Sequence, residues 1–218
     1  MSKLRVHNFC LSLDGFGAGP HPDLEHPLGV GAERLHHWIF DTAYGRAMSG
    51  QENGSSGLDN SYLVAGDQNI GATIMGRNMF GPIRGPWDAD DAARKWTGWW
   101  GEEPPYHHDV FVLTGHARAP LAMQGGTTFH FVTQGPEVAL QLATEAAAGA
   151  DIRLGGGASA IRQYVALGLV DTLHLAMVPV LLGSGERLFE TNWRAAGYAC
   201  SGFEASEDVV HVQLAREA

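Results

Sequence analysis

Three consecutive glycines, Gly155–Gly157, lie between an extended segment and a helical one, and they restrict the possible folds more than any other feature of the chain. The extended segment is Ile152–Leu154, and a second one, Leu173–Val178, follows Gly168. Between the two, apolar residues recur at the i, i+3, i+4 spacing of one helix face: Ile161, Tyr164 and Val165. This pattern predicts a strand–turn–helix–strand unit whose two strands run parallel.

The glycine turn is suited to an anionic ligand, because glycine lets the backbone approach closely and a helix start offers free N–H groups. The alternative is a tight turn with no ligand. The spacing Gly155-x-Gly157-x-x-Ala160 also fits the Gly/Ala form of the dinucleotide fingerprint, but a Rossmann domain requires an acid about 20 positions on. Here Asp171 precedes the second strand and the next acid is Glu186, so the turn predicts a pyrophosphate site in another architecture.

Composition limits the class of protein. The chain has 218 residues, which predicts a single domain, 1–218, with a full core. The net charge of −10 argues against nucleic acid and anionic membranes as partners. Two cysteines, Cys10 and Cys200, indicate a reducing compartment, and the absence of a signal peptide and of a long apolar run predicts a cytoplasmic protein.

Strand and helix patterns alternate along the chain, with Gly- and Trp-rich loop insertions near 20–31, 50–57 and 81–108. The predicted strands are 5–13, 72–75, 109–114, 128–133, 152–154 and 173–178, and the predicted helices are 31–48, 58–69, one that opens at Pro136 with Val138, Leu142 and Ala146 on one face, and one after Gly157. Tyr198–Ala215 predicts two antiparallel strands with a turn at Glu207–Asp208. The alternation predicts an α/β fold with a mostly parallel mixed sheet and a C-terminal antiparallel β-hairpin.

A second polar constellation follows two of the predicted strands. Gly76–Phe80 has the pattern of a glycine turn into a helix, where Arg77 suits a phosphate; the alternative is a surface salt bridge. Thr114, His116 and Arg118 follow the next strand and could hold a second phosphate. The tryptophans of the third insertion either line a pocket or fix a long loop: Trp87, Trp96, Trp99 and Trp100.

The order of these elements resembles the dihydrofolate reductase fold, and 151–190 closely resembles the reductase domain of the bifunctional riboflavin-biosynthesis deaminase-reductase. The matching residues are Gly155-Gly156-Gly157, Gly168-Leu169-Val170-Asp171, Leu173, Pro179, Leu182-Gly183-Ser184-Gly185 and Leu188-Phe189. The resemblance covers nearly the whole chain and implies a three-layer α/β/α arrangement. It does not extend to a deaminase, because the zinc-deaminase motif is absent.

The resemblance implies NADPH as the cofactor and assigns residues to its parts. The pyrophosphate is expected between Gly76, Arg77, Asn78 and Met79 and the segment Gly155, Gly156, Gly157, Ala158 and Ser159, each at a helix start. The 2′-phosphate is expected at Arg77 and at the end of the strand with Leu113, Thr114, His116 and Arg118. The nicotinamide is expected near Cys10, Asp14 and Gly17, with the glycine loop as a lid. The resemblance also implies a cis peptide within the triplet, at Gly155-Gly156 or Gly156-Gly157.

The catalytic acid of folate reductases lies on the first helix, and the nearest matches here are Glu33 and Asp41. A first-turn acid such as Glu33 also has the alternative role of stabilising its helix dipole. Thr172 stands where riboflavin reductases carry an acid, which weakens the case for their substrate. The substrate that the resemblance implies is small, and pterin- or pyrimidine-like.

The function expected from this resemblance is an NADPH-dependent reductase. The alternatives are an NADPH-binding module without turnover and a metal-dependent hydrolase. The hydrolase is suggested by the 11 histidines and by the adjacent pair His107-His108. No metal-binding motif supports the hydrolase, and no metal is expected. The apolar run Thr172–Val180 with Leu181–Gly183, together with the pairing of related domains, predicts a homodimer.

Overall fold

The computed structural model describes residues 2–190 and 197–217, and these residues form two compact units. The first unit comprises the described residues of 1–5 and 69–169, and the second those of 6–68 and 170–218. The chain passes between the units at three points, the first of them within its first strand.

Eleven strands and seven α-helices are present in the described residues. The strands are β1 (Leu4–Ser12), β2 (Phe16–Ala18), β3 (Ile70–Gly76), β4 (Asp109–Leu113), β5 (Leu121–Ala122), β6 (Thr128–Val132), β7 (Asp151–Gly156), β8 (Thr172–Val178), β9 (Glu186–Arg187), β10 (Tyr198–Ala205) and β11 (Val210–Arg216). The helices are α1 (His37–Phe40), α2 (Ala43–Met48), α3 (Leu58–Asp67), α4 (Arg77–Phe80), α5 (Asp91–Lys95), α6 (Pro136–Ala146) and α7 (Ala158–Ala166), with 3-10 turns at Ala32–His36 and Gln124–Gly126.

The sheet of the first unit has the strand order β7-β3-β4-β6-β5, and the first residues of β1 pair with β7. All of these pairs are parallel except β5 with β6. The register places Gly76 opposite Leu113, and Met75 opposite Gly156. Because parallel strands end at the same edge, the turns after β3, β4 and β7 lie side by side, where α/β sheets bind ligands.

Two longer helices pack on this sheet. The face of α7 that the sequence predicts, Ile161, Tyr164 and Val165, is buried. The predicted face of α6 is wrong by one position, because its buried residues are Ala139 and Ala143 while Leu142 is exposed. The small side chains let α6 and the turn after it lie close to β3, and a Cβ added at Gly71 would lie 2.6 Å from the carbonyl oxygen of Ala147.

The Trp-rich insertion builds an aromatic cluster in the first unit, formed by Phe80, Trp87, Trp100, Tyr106, Phe129 and Phe131. The Trp96 indole N–H donates to the Phe80 carbonyl oxygen at 3.1 Å, and Trp87 is almost fully buried. The tryptophans therefore fix the long loop, and only Trp87 also borders the cleft described below.

The second unit contains the strand order β10-β11-β8-β1, and a separate two-stranded sheet of β2 and β9. The predicted C-terminal hairpin is confirmed, since β10 and β11 are antiparallel. The predicted helix over 31–48 is wrong, because it is divided into a 3-10 turn, α1 and α2. The Thr42 hydroxyl oxygen accepts from the Gly45 amide at 3.0 Å and starts α2 afresh. The mostly parallel mixed sheet with an antiparallel hairpin confirms the predicted fold class.

Within residues 2–190 and 197–217, no helix combines the length and apolar character that a bilayer crossing requires.

Candidate functional site

The glycine turn that ends β7 leads directly into α7. Gly157 is the N-cap of α7 and has no side chain to satisfy the free N–H groups of the first turn. A Cβ added at Gly157 would meet no atom within 4 Å, so the space in front of the helix is open. The peptide bond between Gly156 and Gly157 is cis, at one of the two places expected. An uncapped helix start with open space before it is suited to an anion.

The turn that ends β3 contacts the first one. A Cβ added at Gly76 would lie 3.5 Å from the carbonyl oxygen of Gly156 and 3.7 Å from the amide nitrogen of Gly157. Met79 packs beside Gly155 in the same way, 3.2 Å from the position of an added Cβ, whereas Asn78 is exposed. However, α4 is a single turn of four residues, too short for the strong helix dipole expected there. The positive charge at this turn comes instead from Arg77.

The Arg77 side chain is held by three groups within the first unit. Its Nε donates to the Ile83 carbonyl oxygen at 3.1 Å, and Nη1 donates to the Thr114 hydroxyl at 3.4 Å. The guanidinium carbon lies 3.7 Å from the centroid of the Trp87 ring. The Nη2 atom is buried and has no hydrogen-bond partner. Arg77 is therefore not the surface ion pair that the sequence left as the alternative.

A second guanidinium borders the same region. Arg118 donates to the Trp96 carbonyl oxygen at 2.7 Å and to the Arg94 carbonyl oxygen at 3.0 Å. Burial lowers the pKa of Arg77, and the nearby positive charges of Arg84 and Arg118 lower it further. Since arginine remains charged in proteins, a partly buried guanidinium with other positive charges nearby makes an adjacent anion favourable.

Arg118 lines a cleft of about 440 Å³, within the range of small-molecule sites, and Arg77 packs on Trp87, which also lines it. The residues that line it are Pro86, Trp87, Asp88, Arg94, Gly115, His116, Ala117 and Arg118. The Trp87 indole N–H donates to the His116 carbonyl oxygen at 2.8 Å, which joins the insertion to the turn after β4. Among the described residues, neither Arg77 nor Arg118 forms an ion pair with a carboxylate.

The structure thus brings the predicted pyrophosphate and 2′-phosphate residues of the first unit together at one sheet edge. The sequence missed the role of Trp87 as the platform beneath Arg77. No local pattern pointed to it, because Trp87 lies in an insertion without a regular period. Leu113 contributes its place at the end of β4, next to Thr114.

The three residues predicted for the nicotinamide belong to the second unit. Cys10 is buried, its thiol donates to the Asn8 carbonyl oxygen at 3.6 Å, and burial raises its pKa to about 12. The thiol therefore stays protonated and cannot act as a nucleophile at neutral pH. Gly17 packs on Phe9, and a Cβ there would lie 2.7 Å from its ring.

Asp14 fixes the glycine loop of the second unit. Its carboxylate accepts from the amides of Leu182 and Gly183 at 3.1 and 2.7 Å. The hydrogen bond from Ser12 and the hydrogen bonds from these two amides lower the pKa of Asp14 to about 2. The Leu188 amide also donates to the Gly15 carbonyl oxygen at 3.0 Å. The loop is thus tied to 182–188 rather than free.

The two candidate acids, Glu33 and Asp41, are both exposed in the second unit. Glu33 lies in the first turn of the 3-10 segment, and Asp41 accepts a hydrogen bond from Arg46 at 3.2 Å. Within 2–190 and 197–217, no group of three His, Cys, Asp or Glu side chains is placed to hold a metal ion.

Comparison with known families adds the evolutionary context. Residues 6–210 match the family model described as the RibD C-terminal domain. No protein with a curated description matches the chain.

Solved structures share the fold at low sequence identity. A putative riboflavin biosynthesis protein from Shewanella sp. PV-4 is 18% identical, with a TM-score of 0.58 and full coverage of both chains. Dihydrofolate reductase from Enterococcus faecalis, in complex with NADP(H) and RAB-propyl, is 12% identical with a TM-score of 0.52, over 99% of this chain and 97% of that one. The diaminohydroxyphosphoribosylaminopyrimidine deaminase/5-amino-6-(5-phosphoribosylamino)uracil reductase from Thermotoga maritima is 11% identical with a TM-score of 0.51, over 99% of this chain and 56% of that one. These likenesses confirm a dihydrofolate reductase-like fold.

Proposed function

The chain belongs to the RibD C-terminal domain family, and from that membership we propose that it is an NADPH-dependent reductase of a small substrate. The observation that carries the proposal is the buried Nη2 atom of Arg77, which has no hydrogen-bond partner. A buried charged donor without an acceptor is costly, so an anionic oxygen placed beside it is favourable. Within residues 2–190 and 197–217, Arg77 and Arg118 form no ion pair with a carboxylate, which supports the same ligand class.

The first unit would hold the phosphates of the cofactor. We assign the pyrophosphate to the open space before α7, where free N–H groups and the exposed Ser159 side chain can donate. We assign the 2′-phosphate to Arg77 and Thr114, with Arg118 and His116 beside them. A phosphate there would give Nη2 its missing acceptor, because guanidinium groups bind phosphate oxygens in a forked geometry.

The nicotinamide is assigned, on family resemblance alone, to Cys10, Asp14 and Gly17. When bound, the cofactor supplies a hydride to the substrate. Cys10 contributes an inert, buried surface, and Asp14 holds the loop that contains Gly17 in place. Glu33 and Asp41 remain the proposed proton sources.

The substrate that we propose is a small heterocycle of the pterin or pyrimidine kind. The support is family membership together with the names of the structural relatives, one of which is a uracil reductase and another a dihydrofolate reductase. The alternative function is a module that binds NADPH without turnover, because neither candidate acid is held in a buried, oriented position.

The test is a thermal-shift titration with NADPH, followed by absorbance assays of NADPH oxidation with pterin and pyrimidine substrates. A hundredfold excess over Kd should raise the stability by about 2.7 kcal/mol. Quenching of tryptophan fluorescence should accompany binding, since the Trp87 ring lies under Arg77. Binding with oxidation supports the reductase, and binding without oxidation by any substrate supports the module. The absence of binding at millimolar NADPH contradicts both.

We also propose a homodimer. The apolar side chains of β8 are mostly buried within the second unit, but Leu181 is 72% exposed and Phe203 is 75% exposed. Sedimentation at micromolar concentration should therefore give about twice the 23.4 kDa of one chain. Leu181→Asp and Phe203→Asp should shift the protein toward monomer, whereas Val64→Asp, at another exposed apolar position, should not. A monomeric wild type contradicts the proposal.

A cytoplasmic location is part of the same proposal. Cys10 and Cys200 are free thiols, one buried and one exposed. Unpaired thiols are typical of reducing compartments.

A further inference from the structure

A chain of hydrogen bonds crosses the interior of the second unit from a carboxylate to a strand amide. The Nε2 atom of His211 lies 2.8 Å from Oδ1 of Asp59. The Nδ1 atom of His211 lies 3.0 Å from Nε2 of His174, and Nδ1 of His174 lies 3.1 Å from the amide nitrogen of Asn8. These bonds connect α3, β11, β8 and β1. Both histidines are buried, with 3% of His174 and none of His211 exposed.

The two ends of the chain determine where every proton lies. The Asn8 amide can only donate, so Nδ1 of His174 must accept and its proton must be on Nε2. That proton is donated to Nδ1 of His211, whose own proton is then on Nε2 and is donated to Asp59. Both imidazoles are therefore neutral, and each nitrogen has one partner. An additional proton on either Nδ1 would place two donors opposite each other.

The surroundings favour a neutral His174. The Tyr62 ring stacks on both, with centroids 4.4 Å from His174 and 4.1 Å from His211, and its hydroxyl donates to Glu204 at 2.7 Å. His7 on β1 contacts His174, and Trp38 on α1 contacts His211. One step further out, Gln213 on β11 donates to the Tyr62 hydroxyl, and the Ser206 hydroxyl in the hairpin turn donates to Asp59. Burial first, then His7 and His211, lower the pKa of His174 to about 3.

The backbone amide at the end of this series of hydrogen bonds belongs to Asn8, which has an unusual conformation for a strand residue. Asn8 has a φ of 54°, in the left-handed region, although it lies within β1. Asparagine tolerates this conformation better than most residues, but it is disfavoured in a strand unless something holds it. The hydrogen bond from the Asn8 amide to Nδ1 of His174 holds this conformation, which we call the bend of β1. Gly66 allows α3 to lie against it, since a Cβ at Gly66 would lie 2.5 Å from Nδ2 of Asn8. Two residues later β1 reaches Cys10, and then the loop that Asp14 fixes.

We propose that Asp59, His211 and His174 form an acid-sensitive latch that holds the bend of β1 at Asn8 and thereby positions Cys10 and the 13–19 loop for the nicotinamide. His174 and His211 are positioning residues, because they act through the backbone of Asn8. The part that concerns the nicotinamide rests on the proposed function, whereas the latch itself does not.

The latch predicts that stability is lost as the pH falls. The ordinary pKa of histidine is 6.5, and that of His174 in the fold is about 3. Between these values the unfolded chain binds a proton that the folded chain does not, so the unfolding equilibrium constant rises as pH decreases. From pH 7.5 to 5.0, one such group should raise that constant about 30-fold.

Two substitutions at position 174 separate the latch from ordinary packing. His174→Asn places an amide oxygen where Nδ1 was, so it accepts from Asn8 but cannot titrate. His174→Leu fills the site without an acceptor. Both lose the bond to His211, so they differ mainly in the acceptor offered to Asn8. His37→Gln, at an exposed histidine of the same unit, is the control.

Urea unfolding at pH 7.5 and 5.0, amide exchange of Asn8 and NADPH binding provide the readouts. His174→Asn should lose the 30-fold acid component, keep the Asn8 amide protected and bind NADPH within about 3-fold of wild type. His174→Leu should lose that protection at pH 7.5 and weaken NADPH binding at least tenfold while folded. His37→Gln should match wild type in Asn8 exchange and in NADPH binding, the two readouts that do not depend on the charge coupling between His37 and the buried His36. If wild type does not bind NADPH, the proposed function is wrong and the latch is judged from exchange and unfolding alone. Equal Asn8 protection in both variants, or an unchanged acid component in His174→Asn, overturns the latch.

Discussion

Gly157→Val is expected to abolish NADPH binding, with Kd raised at least about 100-fold, while the fold stays intact. A Cβ at this position meets no protein atom within 4 Å, and the φ of −68° is open to any residue. The added side chain would therefore cost the fold little. It would fill the space in which a pyrophosphate must approach the N–H groups of α7, and about 100-fold corresponds to roughly 2.7 kcal/mol.

Gly57→Val is the matched control for this experiment. Gly57 is also the N-cap of a helix, with a φ of −73° and a ψ of −158°, close to the −68° and −169° of Gly157. Its substitution should leave the NADPH-induced thermal shift unchanged. Gly156 is a less decisive position, because its φ of 120° makes any side chain strained and stability would fall together with affinity. A normal NADPH shift in folded Gly157→Val means that the cofactor binds elsewhere.

Arg77→Ala is expected to weaken NADPH by about 10- to 150-fold and NADH far less. The magnitude is that of a lost charge-assisted hydrogen bond, roughly 1.5–3 kcal/mol. Only NADPH carries the 2′-phosphate that we place beside the unpartnered Nη2. Arg77→Lys should be intermediate, because it keeps the charge but loses the fork and the contact with Trp87.

The measurement is the Kd of each cofactor by fluorescence or calorimetry. Lys95→Ala removes an exposed positive charge from the same insertion and should change neither value by more than about twofold. Equal weakening of both cofactors by Arg77→Ala would show that the arginine supports the loop and does not select the phosphate.

Residue spacing in the sequence predicted those helices and turns that are determined by residues close together in the chain. The helix face of α7 follows from the spacing of Ile161, Tyr164 and Val165, and the glycine turn follows from the triplet before it. The break between α1 and α2 was hidden, because the apolar spacing continues through it. The Thr42 hydroxyl bond and the close approach of Gly45 to Ile39, 2.0 Å from an added Cβ to the carbonyl oxygen, terminate one helix and begin the next.

The parts that the sequence did not reveal depend on residues far apart in the chain. Asp59, His174 and His211 are individually ordinary, and only the pairing of β8 with β11 makes their imidazoles adjacent. Likewise, α6 buries Ala139 and Ala143, and Gly71 lets the turn that follows α6 approach β3 closely. No periodicity within α6 shows this. Arg77 could be placed at a turn from sequence, but its platform, Trp87, came from an insertion with no readable period.

The two edge strands, β5 and β10, differ in how far their unpaired backbone groups are protected from pairing with another chain. In the first unit, β5 has only two residues and follows Pro120, so it offers almost no backbone for another chain to pair with. In the second unit, β10 runs for eight residues without a lysine or a proline and carries the exposed Phe203. A bulge between Cys200 and Gly202 is its main irregularity. Natural sheets shield such borders with charge or proline, so β10 is the border at which a concentrated or partly unfolded sample of this protein would begin to polymerise.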